Sequence, residues 1–237
     1  MARQLLQYEA ATGIFHDIIG SYDETTNASA LDITYNNANY PTVKDALDSL
    51  LYVSPKINSF SLSVGTVEIG SVVTTVTANW SFNKPMTTAS LTDATIAPTD
   101  TSYAFTGLNL TSDKTYILGC SDGTNSVTSS KKIHFSHKRY WGTSINITLN
   151  DAEILALSSE FSSSKSKSVT YDCTGGKYPY FVFLASLGNP SVTVNGLPMT
   201  DLVIVDQNFT NASGHTDTFK VIRFTNLING IISAVWS

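Results

Sequence analysis

The sequence predicts an all-β protein: an N-terminal arm carrying one short helix, then two tandem β-sandwich-like domains. Three observations carry this. Charged residues make up 14% of the 237-residue chain and hydrophobic residues 42%. A charged share that low is unusual for a globular domain, and Ser, Thr and Asn, which suit strand faces and turns, fill the gap. Beyond residue 57, runs with period-two alternation recur between Gly, Pro, Asn and Asp signals. The clearest helical stripe is confined to residues 42–52. The length suits two small domains and an arm, divided as residues 1–52, 53–136 and 137–237. Aromatic residues at 11% argue against intrinsic disorder.

The arm is chemically distinct. Residues 1–52 hold two basic groups, Arg3 and Lys44, against seven acids, which gives −5, the net charge of the whole chain. The remaining residues balance at twelve against twelve. An acidic arm on a neutral body fits docking on a separate partner, or simply a solvated segment. Residues 1–40 read as irregular: Leu5, Leu6, Ile14, Phe15, Ile18 and Ile19 form apolar islands between Gly13, Gly20 and a polar run. They are expected to bury against another partner, or to fold back as an edge strand.

Residues 42–52 read as helix. Pro41 precedes it, and Thr42 with Asp45 makes a capping-box-like start. Val43, Ala46, Leu47, Leu50 and Leu51 form one stripe, with Lys44, Asp45 and Asp48 off it. About eleven residues are too few for a stable lone helix in water. The stripe must therefore pack on its own body or on copies of itself, and Val43, Leu47, Leu50 and Leu51 are the candidate oligomerisation seam.

The first β block covers residues 57–136. Ile57, Phe60, Leu62 and Val64 open it, ending near Gly65. Val76, Ala78, Trp80 and Phe82 share one face of the next strand, and Asn83-Lys84-Pro85 turns the chain. Tyr103-Ala104-Phe105 is a short strand. Leu110 lies six residues before Tyr116, which opens a long strand, and this resembles the tyrosine corner of sandwich domains. Residues 121–125 are a hairpin turn to a return strand over 127–135. A core Trp, this corner and the spacing of strands predict an immunoglobulin- or fibronectin-like sandwich.

Lys131, Lys132, Lys138 and Arg139, interleaved with His134, His137, Tyr140 and Trp141, mark the expected linker between the blocks. The patch reads either as a grip for an acidic surface, a glycan phosphate or nucleic acid, or as a strand edge plus a linker whose aromatics pack between domains. In the second block, residues 150–157 look like a short capped helix, 162–168 a serine-lysine loop and 178–185 a buried strand. Residues 191–196 end in a hairpin signal. Residues 202–205 are followed by a polar loop over 208–216, and residues 231–236 close the chain as a strand tied into its sheet.

Catalytic and metal signatures are missing. Cys120 and Cys173 have no neighbours at metal-ligand spacing and fall in different blocks, so they read as small buried apolar groups. His134 and His137 would have ligand spacing only on a helix. Asp172, Asp201, Asp206 and Asp217 are acids by number alone, each beside a turn or polar loop. No cofactor is implied. There is no electrostatic footprint for nucleic acid and no apolar run of membrane-spanning length. The N-terminus lacks a signal-type apolar run, so synthesis in a cytosol is expected. The six Asn-x-Ser/Thr triplets, at Asn27, Asn79, Asn109, Asn146, Asn208 and Asn211, then reflect composition.

Ile33-Thr34-Tyr35 followed by Val43-Lys44-Asp45-Ala46-Leu47-Asp48-Ser49-Leu50-Leu51-Tyr52 resembles the trimerising connector of tail-fibre and appendage proteins of tailed bacteriophages. Ile57-Asn58-Ser59-Phe60, on through Trp80-Ser81-Phe82-Asn83-Lys84, is similar to their immunoglobulin-like modules. Phe135-Ser136-His137-Lys138-Arg139-Tyr140-Trp141 is similar to the junction between such a module and a distal β domain. The resemblance covers roughly residues 33–237. It implies a non-enzymatic virion protein, made in the host cytoplasm. It implies a homotrimer, fixed to other virion proteins through residues 1–52, with its distal part facing the host. No receptor-binding residues carry over. The chain is short for a full fibre and lacks long β-helical or coiled-coil repeats, so a collar or head appendage, a baseplate-proximal adaptor and a short fibre all remain open. A second class, a carbohydrate-binding module, would present a host glycan with aromatic platforms such as Tyr140, Trp141, Tyr178 or Tyr180. A glycan-degrading enzyme using the four aspartates is the third.

Overall fold

A computed structural model describes residues 6–9, 14–17 and 51–237. The chain divides into two units, Met1–Ser54 and Pro55–Ser237. In the first, β1 (Leu6–Glu9) pairs antiparallel with β2 (Ile14–Asp17), placing Leu6 opposite Asp17 and Glu9 opposite Ile14. The stretch expected to be irregular therefore contains a hairpin, whose four-residue strands are too short for alternation to show. Val43, Leu47 and Leu50 lie outside the described residues. Leu51 is helical and 73% exposed.

The second unit is all-β apart from one short α-helix and a single 3-10 turn. Its first part is an immunoglobulin-like sandwich of seven strands. These are β3 (Ile57–Leu62), β4 (Thr66–Glu68), β5 (Val76–Phe82), β6 (Thr88–Leu91), β7 (Ser102–Phe105), β8 (Lys114–Ser121) and β9 (Ser126–Ser136). One sheet runs β3-β5-β7 and the other β4-β9-β8-β6. The entry strand is split between them. β3 lies antiparallel to β5; the chain then passes Gly65 and β4 pairs parallel with β9 in the facing sheet. β4 and β6 escape a pattern reading because three or four residues carry no resolvable alternation.

Alternation explains the core. Val76, Ala78 and Trp80 point inward from β5 and meet Phe60, Phe105, Tyr116, Leu118 and Ile133. Asp122 organises the β8–β9 turn, its Oδ1 accepting from the Thr124 and Asn125 amides at 2.9 and 2.8 Å, while Gly123 takes φ +94°. The tyrosine corner is absent. The Tyr116 ring packs 4.9 Å from Phe105, but its hydroxyl makes no hydrogen bond among the described residues. Tyr116 is thus an ordinary core aromatic. Cys120 and Cys173 are both free and buried.

The second part begins without a linker. β9 ends at Ser136 and β10 (Lys138–Ser144) starts two residues later, so the expected basic-aromatic linker is strand on both sides of His137. α1 (Asp151–Leu155), β11 (Ser158–Phe161), β12 (Lys167–Asp172), β13 (Tyr178–Leu184), β14 (Val192–Val194), β15 (Leu197–Met199), β16 (Leu202–Thr210), β17 (Thr216–Phe224) and β18 (Ile231–Trp236) follow. A five-stranded sheet, β11-β10-β13-β17-β16, faces a four-stranded one, β12-β18-β14-β15. Between them sit Tyr171, Phe181, Phe183, Ile222, Phe224 and Trp236. A second cluster on the other face of the larger sheet holds Tyr140, Leu149, Ile154, Tyr180, Val182, Phe209 and Phe219.

That second cluster is closed by α1 and the segment before it. Asn150 Oδ1 accepts from the Glu153 amide at 3.0 Å and the Glu153 carboxylate accepts from the Asn150 amide at 2.8 Å, a capping box that lets a five-residue helix persist. It brings Ile154 to full burial. β13 is apolar at consecutive positions because both its faces are covered. β16 and β17 pair as far as Thr210 opposite Thr216. The expected polar loop over 208–216 is therefore strand at 208–210 and at 216, its turn spans 211–215, and Phe209 is fully buried.

The last strand is part of the core. Trp236 stacks on Phe181 at 4.8 Å, and its indole donates to the Tyr171 hydroxyl at 3.1 Å. Trp236→Ala should destabilise the protein by about 3–5 kcal/mol. Urea denaturation checks this, and a cost below about 1 kcal/mol would show the terminus to be dispensable.

Candidate functional site: the junction between the sandwiches

With one residue between their strands, the two sandwiches must dock, and the docking has its own chemistry. Glu68, at the end of β4, is 7% exposed. A buried carboxylate is costly unless partnered. Its partners come from β10: Lys138 Nζ donates to Oε2 at 3.2 Å and the Tyr140 hydroxyl to Oε1 at 3.3 Å. Burial, and after it the Glu68 charge, pushes the Tyr140 phenol well above its usual range.

The turn between β16 and β17 clamps the loop after β4. Asn211 Oδ1 accepts from the Ser213 and His215 amides, both at 3.0 Å, which shapes the turn. Its Nδ2 donates to the Ile69 carbonyl at 2.7 Å, and the Ser71 and Ser213 hydroxyls bond at 2.8 Å. Gly70 permits this approach. It takes φ +97°, and a Cβ there would stand 2.6 Å from the Cβ of His215.

His137 fills the crossover. Its side chain is 14% exposed and its Nε2 lies 3.5 Å from Asp217 Oδ2. The ring packs edge-on against Phe219 at 5.6 Å, with the His215 ring 6.0 Å away. Beside it opens a cleft of about 200 Å³ walled by Ile69, Phe135, Leu184 and Leu187, with Ser162 at its rim. Burial lowers the affinity of His137 for a proton; Asp217 opposes this, His215 reinforces it and Glu68 opposes it.

The residues singled out from the sequence fall elsewhere, or are occupied. Tyr140 is 2% exposed, so it is not a surface platform. Trp141, its neighbour on β10, necessarily points to the opposite face; it is half-buried, with Lys167 Nζ 3.8 Å from its ring centre. Tyr178 is half-buried under the Arg223 guanidinium at 4.7 Å. Tyr180 is buried and donates to the Asn146 carbonyl at 2.7 Å. No shared aromatic platform is formed by these four.

Three of the four cations of the basic patch are paired internally. Lys132 pairs with Asp113 at 2.6 Å, Lys138 with Glu68, and Arg139 with Glu160, which also takes Lys167 at 2.7 Å. Lys132, the Phe135 amide and His134 together hold the Asp113 carboxyl far below the usual range. The four aspartates do not converge either. Asp172 accepts from the Thr174 amide at 3.0 Å, Asp201 from Asn226 at 3.3 Å, Asp206 pairs with Lys220 at 2.7 Å and Asp217 accepts from the Thr218 amide at 2.8 Å. Glu68, Gly70 and Asn211 were not legible as a site, although an isolated Glu two residues before a Gly in an apolar run was a signal available in the sequence.

No family model matches this chain, and no curated protein matches it. Among solved structures it is similar to the N-terminal eight Ig domains of Down Syndrome Cell Adhesion Molecule isoform 1.30.30, at 14% identity and a TM-score of 0.24 over 74% of this chain and 23% of that one. It is also similar to the titin Ig tandem domains A164-A165, at 8% identity and a TM-score of 0.24 over 77% of this chain and 94% of that one. The chain thus spans under a quarter of the first of these. Likenesses this low add nothing to the strand topology described above.

Gly70→Ala tests the clamp. The added methyl collides with His215 and must adopt a left-handed conformation, a combined cost of about 2–4 kcal/mol. Small-angle scattering should show a larger radius of gyration with both cores intact by circular dichroism. An unchanged radius and stability would mean the loop yields freely.

Proposed function

We propose that this chain is a non-enzymatic structural component of a tailed-phage virion, a fibre or appendage part held to the particle by residues 1–52. The unit Pro55–Ser237 would be displayed outward, where it could adhere to a host-surface glycan. The observation that carries the reading is the linker-free junction: two sandwiches locked by Glu68, Asn211 and Gly70 make a stiff module rather than a flexible pair. Two features support it further. Residues up to Ser54 form a unit of their own, and Leu51, from the apolar stripe, is 73% exposed, as a residue awaiting a neighbouring copy would be. The engaged aspartates favour a non-enzymatic role. The buried ring of Tyr140, and the half-buried rings of Trp141 and Tyr178 with cations already against them, do not support a glycan platform shared by these three.

The assembled form is a homotrimer with Val43, Leu47, Leu50 and Leu51 in its seam. Light scattering should give a mass near three times 25.6 kDa for the full chain. Leu47→Asp should reduce it to one, since it buries an unpaired charge in the seam. A monomeric parent chain, or a trimer that survives the substitution, would overturn the trimer seam.

A further inference from the structure

His215 Nε2 also approaches Asp217 Oδ2, at 3.9 Å. Two imidazoles thus aim the same nitrogen at one carboxylate oxygen, and neither is within hydrogen-bonding distance of it. With both rings neutral, the cluster carries only the charge of the carboxylate. A first proton turns it into a single ion pair. A second leaves two cations, their rings 6.0 Å apart, around one carboxylate.

We propose that His137, His215 and Asp217 make the junction a pH-sensitive hinge, closed when at most one imidazole is charged and loosened by the second proton. The surroundings set the direction. Phe219 lies edge-on against the His137 ring, and the adjoining cleft is walled mainly by Ile69, Phe135, Leu184 and Leu187, with Ser136, Ser162 and Ser163 beside them; a mainly apolar wall stabilises an imidazolium poorly. The charged and titratable groups facing His137 are Glu68 from β4, Lys138 from β10, and His215 and Asp217 from β17 and its turn. His134, on β9 at the same cleft, is held by Asp113 at 2.9 Å. Glu68 is already paired with Lys138 and Tyr140, and its pull on the His137 proton is the smallest of the influences on that ring and does not overcome burial. The His215 and Asp217 side chains are 40% and 43% exposed and that of His137 14%, so the cation that lacks water is the one on His137; it gains water when the 211–215 turn lifts from β4, breaking the Asn211–Ile69 and Ser71–Ser213 hydrogen bonds.

The sign agrees. A histidine whose proton affinity is lowered mainly by burial, against the pull of Asp217, binds its proton less readily folded than unfolded. The closed state is therefore fully favoured above the ordinary imidazole value and progressively disfavoured as pH falls below it. The inference is independent of the virion reading, because it concerns contacts inside Pro55–Ser237 alone.

Spin labels at Ser130→Cys on the first sandwich and Thr170→Cys on the second, both exposed positions, report the geometry. The native thiols are buried, and labelled chain is diluted into unlabelled chain to remove intermolecular signals. Between about pH 8 and about pH 5 the inter-label distance distribution should widen roughly twofold while near-ultraviolet circular dichroism is retained. His137→Phe should stay narrow at both pH values. If that variant does not fold, His215→Gln, which removes the second charge, decides in the same way. An unchanged width in the parent chain, widening that accompanies loss of the near-ultraviolet signal, or widening that persists in the folded variant each overturns the proposal.

Discussion

The passage of the chain from Ser136 to Lys138 in one residue is the constraint on which the rest of this molecule depends. A flexible connection would let each sandwich choose its own surface. A single residue forces the end of β4, the crossover and the β16–β17 turn into contact. Polar groups in that contact must then be satisfied, because water is excluded from much of it. Glu68 finds Lys138 and Tyr140, the amide of Asn211 finds the Ile69 carbonyl, and Ser71 finds Ser213. Gly70 follows from the same constraint, since any side chain there would hold the turn away. Removing one partner costs more than the bond was worth, because the other is left buried and alone.

The second sandwich contributes the rigidity that makes such a junction useful. Its five-stranded sheet is packed on both faces, by the smaller sheet and by the segment containing α1. The aromatic cluster of Tyr140, Phe209 and Phe219, with ring centres 5.0–6.5 Å apart, sits on the side toward His137. Tyr140 belongs to this core and to the Glu68 contact at once. A displacement at the junction is therefore resisted by the packing of the sheet as well as by hydrogen bonds.

Much of the fold was legible because strands longer than six residues write their burial into the sequence. Val76 to Phe82 alternates, and residues 178–184 are uniformly apolar where both faces are covered. Asn150 with Glu153 announced a helix start, and Asn195-Gly196 a tight turn with positive φ at both residues. What failed has consistent causes. β4, β6 and β11 are too short to show a period. The polar residues of 208–216 concealed Phe209, whose burial comes from partners distant in sequence. The site was less legible still. Tyr140 and Trp141 looked like one aromatic surface in a linear reading, and strand geometry sends them to opposite sides. Lys132, Lys138 and Arg139 meet acids at Asp113, Glu68 and Glu160, which no local pattern reveals.

The chemistry at this junction differs from that of an interface built only for strength. Hydrophobic residues of similar volume would hold two sandwiches together at least as well as a buried carboxylate. What Glu68 provides is a directional requirement: Lys138 and Tyr140 must both reach it, and only one relative placement of β4 and β10 allows this. Specific orientation matters wherever two domains must hold a surface in a fixed direction. The same reasoning gives His137 its importance. It is the one titratable side chain at the crossover itself, so a change in its charge acts where the orientation is set.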